Sequence, residues 1–448
     1  MKAALEVSRR VRLPGGFRFA GVAAGLKGGG ALDLGLAEAP GGASAAALFT
    51  SNRVVAAPLE VDRRHLRAGR GRIRAVIVNS GNANCATRRG RQGSERVCRE
   101  LGRRLGVPSV QVFPASTGVI GVELPVGKIV RALPRLLSQR RDSAGGVRRF
   151  ARAILTTDTR PKLAAAGFRC GRGRATLLGV AKGAGMIHPR LRPALRDFGG
   201  QARLRQGSSR QRSLRLSSGQ AGRVGGRARL AGGGHATMLA YLFTDVEASA
   251  GELQGLLAAA CGRTFNRISV DGDTSTNDTV LLLASGASGL RPRTRVDKRR
   301  FAAALEAVCA SLAEQIVADG EGVGHVVRLR VEGARSPGEA ERVARAIARS
   351  PLVKTAWAGA DANWGRVLAA VGASGAPIHP GRVDIFLGPQ QVCRRGKACA
   401  FAERAAHRYL SRPRFEVRVR LGRGRAAAVF LTCDLTTDYV RINAHYRT

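Results

Sequence analysis

The stretch GGGHATMLAYLFTD, residues 232–245, places the tightest constraint on the fold. From Met238 to Phe243 every side chain is apolar, and Thr244 and Asp245 close the run. A short apolar run bounded by polar residues suits a strand covered on both faces, although periodicity alone does not separate it from a buried helix segment. Thr237 then stands at the rim of a core, with glycine-rich chain on its other side.

The rest of the chain supplies the layers such a strand needs. RAVIVNSGNAN (74–84) reads as a buried strand running into a turn at Asn79, Ser80, Gly81 and Asn82. SERVCRELGRRLGV (94–107) opens on a serine cap and repeats Val97, Leu101 and Leu105 at helical spacing. VQVFPASTGVIG (110–121) reads as a strand that ends in a loop, and FAAALEAVCASLAEQIVADGEG (301–322) is the longest amphipathic helix candidate. Strands and helices interleave throughout, so the fold class expected is α/β, as an α/β or α+β layered sandwich.

Charge and cysteine usage bound the function classes. The 448 residues carry 75 Lys and Arg against 31 Asp and Glu, a net charge of +44 that calls for comparison with nucleic-acid binders. The excess is nearly all arginine, it is spread along the chain, and only 4% of residues are aromatic, so the stacking platforms of a single-strand binder are missing. A solvated basic surface is the better reading. The eight cysteines (85, 98, 170, 261, 309, 393, 399 and 433) form no C-x-x-C pair and do not cluster with histidine, which argues against a metal site and for free thiols in a reducing compartment. No stretch of roughly 18 consecutive apolar residues is present, so no membrane span is expected. Arg9, Arg10 and Arg12 leave a short organelle-targeting leader open, but the cytoplasm is the expected location.

One segment departs from the alternating pattern. From Arg190 to Gly234 the chain is built of Arg, Gly, Ser, Gln, Leu and Ala with one acid, Asp197. Its low apolar content predicts that it does not bury enough surface to offset the entropy of ordering.

Several blocks, in order, carry a resemblance: GFRFAGVAAGLK (16–27), ALFTSNRVVAAPL (47–59), VNSGNANCAT, ASTGVIG, LTTDTRPK, GVAKGAGMIHP, HATMLAYLFTD, FNRISVDGDTSTNDT, LVKTAWAGADANWGRVLAA and CDLTTDYVRINAHYRT. Over nearly its whole length the chain resembles the ornithine acetyltransferase family, bifunctional arginine-biosynthesis enzymes that cut themselves into two chains. The resemblance implies an N-terminal-nucleophile-like sandwich with a smaller C-terminal α/β lobe. It also implies cleavage between Ala236 and Thr237, giving an α chain of residues 1–236, with the Arg-rich insertion at 190–234, and a β chain of residues 237–448.

The implied chemistry is acetyl transfer from N2-acetylornithine to glutamate through an acetyl-Thr237 intermediate. A hydroxyl is a weak nucleophile and needs a base. Cleavage provides one, the Thr237 α-amino group, whose ordinary pKa of roughly 7.7–8.0 suits proton exchange near neutrality. By resemblance Thr117 (hydroxyl) and Gly118 (backbone N–H) form the oxyanion hole, and Thr156, Lys182, Thr237, Glu321, Asn443 and Thr448 bind substrate. Lys182 suits a carboxylate and Glu321 an ammonium group. No cofactor or metal is implied, acetyl-CoA being a second acetyl source in some members, and the expected assembly is a heterotetramer of two α and two β chains.

Asp271, Asp273 and Asp278 in SVDGDTSTNDT lack the ligand order of an EF-hand loop, so a hydrogen-bonded turn supporting the site is expected instead. In GADANWGR, Trp364 is expected to pack and fix a loop. Two features depart from the family pattern. About three residues separate the GMIHP proline from the nucleophile in the family, whereas here Arg190 to Ala236 intervene, as a lineage-specific loop, as translated noncoding or misassembled sequence, or as the mark of a member that has lost processing. DGEGVGHV (319–326) carries Val323, Gly324 and His325 where the family continues GEGATK, and His325 reads as a surface residue without a role. The rival readings are an N-terminal-nucleophile aminopeptidase or amidase, and an unprocessed, inactive basic binding protein.

Overall fold

The computed structural model describes residues 7–194 and 237–444. Most of the Arg-rich segment, together with Ala236 and Thr448, lies outside the described residues.

A ten-stranded sheet holds β1 (Val7–Ser8), β2 (Arg18–Val22), β3 (Leu34–Thr50), β4 (Arg72–Asn82), β5 (Val112–Val119), β6 (Lys162–Cys170), β7 (Gly173–Lys182), β8 (Leu191–Pro193), β9 (Leu239–Thr244) and β10 (Thr279–Ala284). Its main order is β1-β6-β7-β9-β10-β3-β4-β5, with β2 and β8 also paired to β3. The apolar run is therefore a central strand. β9 lies antiparallel to β7 and parallel to β10.

Alternation along β9 shows why every position is apolar. Met238, Ala240 and Leu242 enter a core with helices α5 (Ala250–Arg263) and α6 (Arg295–Ala318). Leu239, Tyr241 and Phe243 enter a second core on the opposite face with Phe19 and Phe150. Each fully buried large apolar side chain contributes about 1.5–3 kcal/mol. The helices α1 (Ala57–Ala68), α2 (Gly90–Leu105), α3 (Val126–Ser138) and α4 (Ala144–Ala153) precede these in the chain, and α4 carries Phe150 onto the second face.

The smaller C-terminal lobe has a six-stranded sheet of β11 (Val326–Ala334), β12 (Asp384–Leu387), β13 (Gln390–Arg394), β14 (Lys397–Ala398), β15 (Arg414–Arg420) and β16 (Ala426–Cys433). The helices α7 (Pro337–Arg349), α8 (Pro351–Ala358), α9 (Trp364–Gly372) and α10 (Glu403–Leu410) accompany it, and α7 packs on β11 and β16. Trp357 is buried in the lobe's core, and Trp364, half-buried against that core, opens α9 behind the Asn363 cap. A last helix, α11 (Thr437–Ala444), leads to the C-terminus.

The expected layered α/β architecture is present, with four differences in element limits. α2 begins at Gly90, so Ser94 is inside the helix, where its hydroxyl accepts from Asn84 Nδ2 (2.8 Å) instead of capping. Gly106 ends that helix in a left-handed conformation. β4 runs on through Asn82, because its polar end pairs with Ser116 to Val119 of β5 and Ser80 Oγ finds Ala153 O at 2.7 Å. α6 starts six residues earlier than the apolar pattern, at the Thr294 cap, and stops at Ala318. Leu191 to Pro193, assigned to the unstructured segment from sequence, pair with Leu48 to Thr50. Among the described residues α6 is the one helix long and apolar enough to cross a membrane, and over half of that window is buried in the protein core.

Candidate active site

Thr237 sits two residues before β9, 3% exposed, with its Oγ1 2.9 Å from Ser275 Oγ. Ser275 belongs to the loop entering β10, which folds back because its own polar groups brace it. Asn277 N–H donates to Ser275 Oγ (3.1 Å), and Thr50 Oγ1 donates to Ser275 O (2.7 Å). Asn277 Nδ2 donates to Ala83 O (2.7 Å) and Ser116 O (2.9 Å), which ties the loop to the residue before Thr117. Met238 N–H donates to Asp278 Oδ1 at 3.0 Å. Burial pushes the Asp278 carboxyl up to about 8, against the opposing pull of the Met238 N–H and the Lys182 charge.

Thr117 and Gly118 lie in the last turns of β5 rather than in a loop. Gly118 has φ +138°, and a Cβ there would fall 2.2 Å from Asn82 N, so the close approach of β4 and β5 admits only glycine. Across the site Lys182, at the end of β7 and opposite Leu239, is fully buried. Its Nζ donates to Thr156 Oγ1 (2.7 Å) and Thr117 Oγ1 (3.2 Å) and lies 3.7 Å from Asp158. Burial pushes Lys182 down to about 8, although Asp158 pulls the other way.

Behind Lys182 is a largely buried charge network, with the exposed Arg160 at its edge 3.7 Å from Asp319. Lys162 Nζ reaches Asp158 at 2.5 Å and Asp319 at 2.6 Å. Burial alone would raise the Asp158 carboxyl, but the Lys182 and Lys162 ammonium groups outweigh it and hold it at about 2. Asp319 caps α6, so the network fixes the start of the DGEG loop. Glu321 N–H then donates to Ala184 O (3.0 Å), and Gly185 leaves room for the Glu321 carboxylate, which a Cβ would approach to 2.5 Å. Asn443 Nδ2, on α11, donates to Glu321 Oε2 at 3.0 Å.

Thr117, Thr156 and Lys182 are thus joined by direct hydrogen bonds, Glu321 and Asn443 form a second pair, and the Glu321 charge is felt at Lys182. Thr237 connects to Thr117 through Ser275, Asn277 and Ser116. Asp271 accepts Met186, Ile187 and Asp273 N–H groups, as a bracing turn requires. His325 is not a free surface residue: its Nδ1 is 2.7 Å from Asp434 Oδ2, whose other oxygen takes Gly324 N–H. Sequence reasoning gave no role to Ser275, Asn277, Asp158, Lys162 or Asp319. All five lie in or beside the blocks quoted above, yet nothing in a linear pattern marks a polar residue as buried.

A family model described as the ArgJ family matches residues 18–448. The arginine biosynthesis bifunctional protein ArgJ of Methylococcus capsulatus is 41% identical over 97% of this chain and 95% of its own length. That of Symbiobacterium thermophilum is 40% identical over 98% of each. A crystal structure of ornithine acetyltransferase from Mycobacterium tuberculosis, complexed with ornithine, is 36% identical, covers 42% of this chain and 100% of that one, and has a TM-score of 0.39. With the family model spanning nearly the whole chain and relatives near 40% identity over almost full length, this chain belongs to the ArgJ family of bifunctional arginine-biosynthesis enzymes.

Proposed function

We propose that the chain cuts itself between Ala236 and Thr237 and then transfers an acetyl group from N2-acetylornithine to glutamate. The observation that carries this reading is the Thr237 hydroxyl, buried at the mouth of a doubly covered strand, 2.9 Å from Ser275 Oγ and two residues before Leu239, which pairs with the buried Lys182.

In the first half-reaction Thr237 Oγ1 adds to the acetyl carbon, the C–N bond to ornithine breaks, and the α-amino group of Thr237 passes the hydroxyl proton to the departing amine. In the second, the glutamate amine attacks the acetyl ester, the C–O bond breaks, and the proton returns to Thr237. Thr117 Oγ1 and Gly118 N–H hold the negative oxygen of each tetrahedral intermediate, a contribution of roughly 3–4 kcal/mol per donor. Lys182 with Thr156 receives the substrate carboxylate, while Glu321, steadied by Asn443, receives the ornithine ammonium, with Thr448 as a further contact. The acetyl ester stores the group between substrates, so the cycle runs without a cofactor, and acetyl-CoA is the second donor to be tested.

The two chains stay together because β9 and β10 lie between β7 and β3, so the β7–β9 and β10–β3 pairings each join one product chain to the other. We assign the enzyme a heterotetramer of two such pairs and, from its free cysteines, a reducing cytoplasm.

The test is a stoichiometric assay with N2-acetylornithine and glutamate. Equal yields of ornithine and N-acetylglutamate from the wild type, and none from Thr237→Ala, are expected. Release of acetate or of peptide amines without dependence on glutamate would instead establish an amidase or aminopeptidase.

A further inference from the structure

Asp278 is fully buried, and only one of its carboxylate oxygens is used. Oδ1 accepts the Met238 N–H at 3.0 Å, whereas Oδ2 has no hydrogen-bond partner among the described residues. The charged groups facing it are Lys182 from β7 and Asp271 from the loop before β10. The Lys182 ammonium is already engaged by Thr117, Thr156 and Asp158, and Asp271 repels. In the uncut chain burial pushes the Asp278 carboxyl up to about 8, with Asp271 adding to the rise and the Met238 N–H, Lys182 and the Ser275 N–H pulling the other way.

A buried carboxylate with a free oxygen is costly unless a cation meets it. Cleavage before Thr237 makes one there. Successive backbone nitrogens lie within about 4 Å of one another. The new α-ammonium of Thr237 therefore appears beside the amide that Asp278 already holds.

We propose that Asp278 is the positioning residue of the N-terminal nucleophile: its unused oxygen receives the Thr237 α-amino group released by cleavage, while Ser275 holds the hydroxyl of the same residue. The proposal rests on the cleavage reading above. It makes the two polar groups of Thr237 separately anchored, the hydroxyl by Ser275 and the nitrogen by Asp278, so that nitrogen and hydroxyl face the same acetyl carbon. It also means that cleavage converts a neutral carboxyl into the anionic half of an ion pair, and that this anion raises the pKa of the catalytic amine.

Intact mass first establishes whether the wild type is cut; a chain that stays whole ends both the cleavage reading and this proposal. In a cut wild type, the Asp278 carboxyl is followed by 13C NMR of aspartate-labelled protein, its signal identified by its loss in Asp278→Asn, and compared with the uncut Thr237→Ala chain. The expected result is an Asp278 titration at least one pH unit lower in the cut protein; identical titrations in the two would overturn the proposal while leaving cleavage intact. Asp278→Asn keeps an acceptor for the Met238 N–H but removes the anion, so the amine should lose its proton more readily. Where that variant is cut, the acid limb of its kcat profile should move to lower pH by about one unit relative to wild type. An acid limb that stays in place would also overturn the proposal, and if the variant remains uncut the NMR comparison alone decides.

Discussion

The strands at the centre of the ten-stranded sheet are buried on both faces, whereas β11 and β15 of the C-terminal lobe are buried on one, and they also end differently. β7 finishes in Lys182, β9 is preceded by Thr237 and β10 by Asp278, all buried. In the lobe, β11 and β15 present Val327, Leu329, Val331, Val417 and Val419 to a core completed by Trp357. Burying a polar group costs free energy unless it is partnered, so a protein retains such groups where chemistry needs them. The first region holds preorganised charge and the lobe an apolar core, while α11 carries Asn443 to the Glu321 loop, against which Tyr439 packs at Gly322.

Mutations can separate these two kinds of interior. The largest combined loss of stability and activity is expected from Lys162→Met, which leaves Asp158 and Asp319 facing each other without their shared cation. Breaking a buried pair in this way costs about 3–5 kcal/mol, and transfer activity should fall with it because Lys182 loses its support. Chemical denaturation and kcat measured on the same preparation check both effects. Trp357→Ala opens a cavity in the lobe and should cost about 3–5 kcal/mol, while the protein that remains folded keeps a near-normal kcat. A large fall in kcat for that fraction would erase the distinction between the regions.

Acid should act on the first region. Asp158 is held at about 2 against an ordinary 3.8, so the folded state binds its proton less readily than the unfolded chain does. Its contribution is present above pH 4 and lost as pH falls from about 4 to 2. Denaturation of wild type and Asp158→Asn across that window should converge at the acid end. The smallest effect is expected from His325→Gln. The His325–Asp434 contact is largely buried beside the Glu321 loop and Gln keeps a donor for Asp434, so a change of about 1 kcal/mol and a modest rise in KM are expected by denaturation and steady-state kinetics.

Much of this contrast was legible in the sequence. The unbroken apolar run Met238–Phe243 announced the doubly covered strand, and the ordered blocks singled out Thr117, Thr156 and Lys182, which hydrogen bonds join, and Glu321 and Asn443, which pair. The charged framework was not legible. Asp158, Lys162 and Asp319 resemble surface residues of turns, and only the packing of α6 against β6 takes them out of water. Ser94 misled for a related reason: a serine before a helical pattern looks like a cap, yet Asn84 draws it into the interior. Likewise the polar letters of Asn79 to Asn82 suggested a turn, where pairing with β5 keeps them in a strand.

The central claim is that Thr237 becomes the N-terminus of a second chain despite the long segment upstream. Intact mass and N-terminal sequencing of the purified wild type, beside Thr237→Ala, test it directly. The account predicts two fragments in the wild type, one beginning at Thr237, and a single full-length species in the variant. A single species near 47.2 kDa in both would contradict it, because the nucleophile would never acquire its amino group.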